Sequence, residues 1–175
     1  TPQIDTVHVQ NMDMLPETAV FTDWDSMTGY SLDQNAVTAV KNALMENGIV
    51  DVSYYAGEAL PEEYGGYTIL NEKTFSHYSP VWMEANHEVS IVGWDDTFSG
   101  TNFAVEPTDD QGNVLDGAWI VRNSWGKGYE DNSAFPVDKD GYFYISYYDR
   151  TITDFNSFQV DVKDTYGEFE YDHNY

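Results

Sequence analysis

Helical periodicity occurs once in this chain. Across residues 32–47, Leu32, Ala36, Val37, Val40, Ala43 and Leu44 recur at spacings of three and four, which turns one apolar stripe toward a core. Ser31 or Asp33 can cap the first turn, because a short polar side chain accepts from the orphan N–H groups there. Gly48 is a natural stop, since a left-handed residue closes a helix most easily without a Cβ. The period then changes. Val50, Val52 and Tyr54 alternate with Asp51, Ser53 and Tyr55, the two-residue repeat of a half-buried strand. Further strands are predicted at 89–94, 118–122 and 142–148, with a short one near 67–70 and a last one carrying Phe158, Val160 and Val162. Residues 1–30 read as mixed and turn-prone, with short extended patches such as Thr6-Val7-His8-Val9. One early helix followed by several loop-connected strands predicts an α+β fold rather than repeated β–α–β units.

The 175 residues are enough for one domain with its own core. Against 31 acidic residues stand 7 Lys plus Arg, a formal net charge of −24. Phosphate-rich partners need the opposite sign, so nucleic acid and an anionic membrane surface are excluded as expected partners. No apolar run approaches the length of a membrane span. The chain has no cysteine, so no disulfide, thiolate nucleophile or thiolate-bound metal can come from it. Thr1-Pro2 opens no signal peptide, and both ends read as cut from something longer.

The chemistry-bearing residues cluster at the ends of two strands. If 89–94 and 118–122 pair as antiparallel neighbours with Trp94 opposite Gly117, His87 and Asn123 reach the same open end of that pair. A carboxamide oxygen that accepts one imidazole N–H fixes the ring's tautomer and direction, leaving the other nitrogen to exchange a proton. Trp125, two residues on, could exclude water from that bond and strengthen it. A plain turn asparagine beside a core tryptophan is the blander reading.

The segments "NHEVSIVGWDD" (86–96) and "GAWIVRNSWGKGY" (117–129) resemble the His and Asn segments of papain-like cysteine proteases, with the flavour of bacterial, clostridial-type secreted or cell-surface members. "AVKNALMENGIVDVSYYAGE" resembles the family's helix and first barrel strand, and "DGYFYISYYD" its following strand. The resemblance implies the right-hand, His- and Asn-bearing half of the enzyme, built as an antiparallel, barrel-like sheet with one early helix. It implies residues 1–30 as a crossover from a left-hand half, 31–163 as the barrel-bearing half, and 164–175 as the start of a linker or following segment. His87 would be the general base and Asn123 its orienter, with Trp125 the shield over their contact. Asn86 and Glu88, flanking the histidine, are the substrate-pocket candidates. The nucleophilic cysteine would lie on an N-terminal half outside this chain, so the chain alone should be inert. The sequence departs from the family where "NSWG" continues into Lys127-Gly128-Tyr129-Glu130 and an insertion at 130–140.

The resemblance also implies a protein or peptide substrate, no cofactor, and secretion or display at a bacterial cell surface. A non-catalytic binding or adhesion module on the same scaffold is the alternative. His8, His77 and His173 read as surface or loop histidines rather than ligands. The Asp-rich stretches 109–113 and 138–141 read as turns, where Asp and Gly serve backbone geometry, rather than as a metal site.

Overall fold

The computed structural model describes residues 8–124 and 140–161. It holds ten strands, β1 (His8–Met14), β2 (Ala19–Asp23), β3 (Thr28–Leu32), β4 (Val50–Tyr54), β5 (Leu70–Asn71), β6 (Ser76–His77), β7 (His87–Asp95), β8 (Ala118–Arg122), β9 (Tyr142–Ser146) and β10 (Thr153–Asp161), and one α-helix, α1 (Gln34–Asn47). β2 and β3 form a hairpin of their own. The other eight make one sheet in the order β1-β10-β4-β7-β8-β9-β6-β5. The fold is α+β. The sheet ends at β1 and β5 and is open, where a barrel-like closure was expected. Its β6–β9 pair is parallel, the other pairs antiparallel.

The helix forms where its spacing and caps place it. Asp33 accepts from Asn35 N at 2.8 Å and from Ala36 N at 3.2 Å. Gly48 closes the other end at φ 81°, its N–H bonding Leu44 O at 2.9 Å. The stripe Ala36, Val37, Val40, Ala43, Leu44 is buried. Most of it packs on Val50, Val52, Val89, Ile91, Trp119 and Val121, the inner face of the sheet. Lys41 adds a polar tie to the strand that carries His87: it pairs with Asp96 and lies 4.9 Å from the centre of the Tyr147 ring. Tyr147 in turn donates to the same carboxylate at 2.9 Å. These two bonds, that of Lys41 foremost, hold Asp96 below the usual carboxylate range.

The register of β7 on β8 is offset from the sequence expectation. Trp94 faces Trp119, not Gly117, and Ser90 faces Arg122. The shift between Ile91 and Gly93 marks a bulge, which inserts one residue and re-aims the strand beyond it. Gly117 instead precedes β8 at φ 113°, where an added Cβ would lie 2.5 Å from the Tyr147 ring. The extended patch expected at 6–9 overlaps β1 at His8 and Val9, while the β2–β3 hairpin was not expected. β1 pairs with β10, and Asp23 builds the β2–β3 turn by accepting from Asp25 N and from both Ser26 N and Ser26 Oγ. Val162, expected in the last strand, lies outside the described residues.

Asp33→Ala should lower unfolding free energy by about 1 kcal/mol, the worth of an N-cap side chain, read by urea titration. Asp96 has its pKa lowered on folding, so its contribution is present above about pH 4 and is lost as pH falls. Asp96→Asn should flatten that part of the acid-unfolding profile by under about 1 kcal/mol, because the Asp96 carboxylate is largely exposed.

Candidate active site

The strand β7 begins at His87, which is paired across the backbone with Tyr54, the last residue of β4. On its other side, β8 ends at Arg122, and Asn123 follows, its N–H bonding Gly141 O at 3.0 Å. Residues 119, 121 and 123 point to the inner face: Trp119 and Val121 are in the core and Asn123 is 2% exposed. Since Arg122 faces Ser90, three residues beyond His87, Asn123 stands diagonal to the histidine rather than opposite it. Diagonal partners on one face lie within reach of longer side chains. Here His87 Nε2 and Asn123 Oδ1 meet at 3.1 Å. The oxygen can only accept, so the bond places a proton on Nε2 and directs exchange chemistry to Nδ1.

His87 and Asn123 lie at the border of a cavity of about 670 Å³, with Asp51, Glu88, Val89, Ser90, Arg122 and Ser124 completing its walls. Glu88, Ser90 and Asp51 sit on the outer face of the sheet by strand alternation, and Ser90 Oγ donates to Asp51 at 2.6 Å. Arg122 lies 5.8 Å from the centre of the Tyr142 ring. Glu88 therefore borders the same space as the histidine. Asn86 does not line this cavity. Its Oδ1 accepts from Ala56 N at 2.7 Å and its N–H bonds Tyr54 O at 3.0 Å, so it ties the exit of β4 to the entry of β7. Trp125 lies outside the described residues. So do positions 138 and 139 of the second Asp-rich stretch. In the first, Asp109 accepts from Gln111 N, Asn113 N and Asn113 Nδ2 and closes its own turn.

Several neighbours of the site are not legible as such in the sequence. Asp51, Ser90 and Arg122 reach the cavity only through cross-strand pairing. His77 is the clearest correction. It is no surface or loop histidine but is 0% exposed in β6, with Nδ1 donating to the equally buried Asp149 at 3.0 Å. The parallel pairing of His77 with Ile145 brings it there, a long-range contact that local periodicity does not encode. Burial, with the Asp149 charge second, raises the pKa of Tyr54 well above that of a free phenol.

An open sheet with one helix on its inner face, and an imidazole bonded to a carboxamide at its rim, has the parts of a base and its orienter for nucleophilic hydrolysis. The chain belongs to the papain family of cysteine proteases: the family described as "Papain family cysteine protease" matches residues 14–153. Cysteine proteinase 2 of Entamoeba histolytica is 32% identical over 107 residues, covering 60% of this chain and 27% of that protein. Among solved structures, the cysteine protease and lectin-like domains of Cwp84, a surface layer associated protein of Clostridium difficile, are 34% identical. The match covers 73% of this chain and 24% of that one at a TM-score of 0.48. A second structure of the clostridial protease Cwp84, after propeptide cleavage, is 28% identical over 88% of this chain and 30% of that one, at a TM-score of 0.50. The chain thus spans less than a third of the length of each of these relatives. No helix among the described residues is long and apolar enough to cross a membrane.

Asn123→Ala should shift stability by less than about 1 kcal/mol. The lost hydrogen bond is offset by removing a buried Nδ2 that has no partner among the described residues. Asp149→Ala should cost about 3 kcal/mol or more, because it strands a buried imidazole. Thermal unfolding of the two variants checks the contrast.

Proposed function

We propose that this chain supplies the base and its orienter to a papain-type cysteine endopeptidase whose thiol nucleophile comes from a segment outside these 175 residues. The observation that carries this reading is the 3.1 Å contact of His87 Nε2 with Asn123 Oδ1 at the edge of the cavity. With Nε2 committed to the carboxamide, Nδ1 is the nitrogen that takes the thiol proton. The resulting imidazolium stabilises the thiolate beside it and lowers its pKa. The thiolate attacks the scissile carbonyl carbon, and Nδ1 returns its proton to the amine nitrogen as the C–N bond breaks. Water then attacks the thioester, with His87 taking the water's proton and the sulfur leaving as thiolate. Asn123 keeps the ring aimed through both halves of the cycle. The family resemblance assigns Trp125 the role of shielding the Nε2 bond from water.

Glu88 and its neighbours on the outer face contribute one wall of the substrate cleft, and Asn86 shapes that wall through the backbone it ties. The substrate is a protein or peptide. The surface-layer association of Cwp84, together with a net charge of −24, supports a secreted or cell-surface location. The N-terminal half with the cysteine is the required partner.

In the full-length protein, His87→Ala should reduce thiol-inhibitable peptide hydrolysis by roughly 10²–10⁴-fold, the usual worth of a positioned acid–base group. Asn123→Ala should lower kcat by less, with KM little changed. Residues 1–175 alone should hydrolyse nothing in a thiol-inhibitable way. A full-length protein without such activity would favour a binding or adhesion module instead.

A further inference from the structure

Asn123 alone cannot fix the imidazole of His87. One hydrogen bond sets the direction of Nε2 but not the rotation of the ring about the N···O line, and a base 1 Å or a few tens of degrees out of place loses much of its advantage. A second contact on the ring itself is needed. We propose that Tyr54 is a positioning residue for His87, and that the buried His77–Asp149 pair holds Tyr54 in place to do it. This inference rests on the role of His87 proposed above.

Tyr54 is the direct cross-strand partner of His87. The two rings lie 6.0 Å apart between centres at 57°. Tyr54 is 0% exposed. Two other rings brace it: Phe143 at 5.9 Å and His77 at 5.2 Å, the latter edge-to-face at 85°. His77 is held in turn by Asp149. That carboxylate also accepts from Ser79 N at 2.8 Å, Thr151 N at 2.8 Å and Thr151 Oγ1 at 2.6 Å. Thr151 Oγ1 accepts from Tyr55 N at 3.2 Å, which returns the network to the end of β4. Packing alone does not explain such a pair, since hydrophobic residues of the same volume commonly serve as well in a core. What the hydrogen-bonded pair adds is direction. An imidazole locked at Nδ1 presents one edge to Tyr54, and Tyr54 presents one wall to His87.

The test uses the full-length protein labelled with ¹⁵N-histidine. Long-range ¹H–¹⁵N spectra report the tautomer of His87, assigned through His87→Gln, and kcat and KM are measured alongside. The wild type should show the Nε2–H tautomer. Tyr54→Phe keeps the ring wall and should keep both that tautomer and kcat. Tyr54→Leu leaves the Nε2 bond to Asn123 but releases the ring's rotation about it, and should broaden and displace the His87 ring signals and lose roughly tenfold or more in kcat at unchanged KM. A folded Tyr54→Leu protein with wild-type His87 nitrogen shifts and kcat overturns the proposal. Should Tyr54→Leu not fold, Asn123→Ala decides. The ring-current displacement that Tyr54 imposes on the His87 ring protons persists if Tyr54 walls the ring, and its loss overturns the proposal. A wild-type protein without thiol-inhibitable activity counts against the proposed function alone, because the imidazole measurements need no turnover.

Discussion

Everything near the site depends on the hydrogen-bonded ladder joining β4, β7 and β8. Strand pairing fixes side chains to one face or the other with a period of two, and a slip of one residue would turn the whole set over. The pairing of Tyr54 with His87 on one side, and of Ser90 with Arg122 on the other, therefore decides which groups meet. The bulge between Ile91 and Gly93 absorbs the extra residue that separates the two ends of β7. Without it, the tryptophan end and the histidine end could not both keep their faces. Helix α1 holds the ladder from the inner side, by Val37, Val40 and Leu44 below and by Lys41 at the far end of β7.

The inner and outer faces divide the labour. The inner face is a continuous apolar surface ending in three polar aromatic groups, Tyr54, His77 and His87, beside Asn123. The outer face carries Asp51, Glu88, Ser90 and Arg122 around the cavity. His87 sits where the two meet, so its ring is gripped by the core on one side and open to the cavity on the other. The base role proposed for His87 needs both conditions: a fixed direction, which comes from packing, and access, which comes from an edge.

The buried His77–Asp149 pair is the least expected feature energetically. Taking a carboxylate out of water has an effective penalty of several kcal/mol per ion. Four donors offset it here, from His77, Ser79 and twice from Thr151. Because the donors come from the segment 77–79 and from residue 151, the carboxylate also fastens β6 to the turn that follows β9. The same bonds that satisfy the charge thus secure the short parallel strand, which has only two paired residues of its own.

Local chemistry wrote the helix, its caps, the strand at 50–54 and the strand at 118–122 into the sequence, because spacing, Asp33 and Gly48 act over a few residues. The His and Asn segments were legible in the same way, as two short motifs. The register between them was not: a bulge leaves no local mark, and Trp94 met Trp119 instead of Gly117. Nor were the β2–β3 hairpin, built on an aspartate turn rather than Asn-Gly, or the open edges of the sheet. His77 shows the limit best. On its own strand it is one polar residue among turns. Only β9, some seventy positions away, makes it a buried partner of Asp149 and a neighbour of Tyr54. Periodicity reports which face a side chain takes; what it meets there depends on chain segments brought together over long loops.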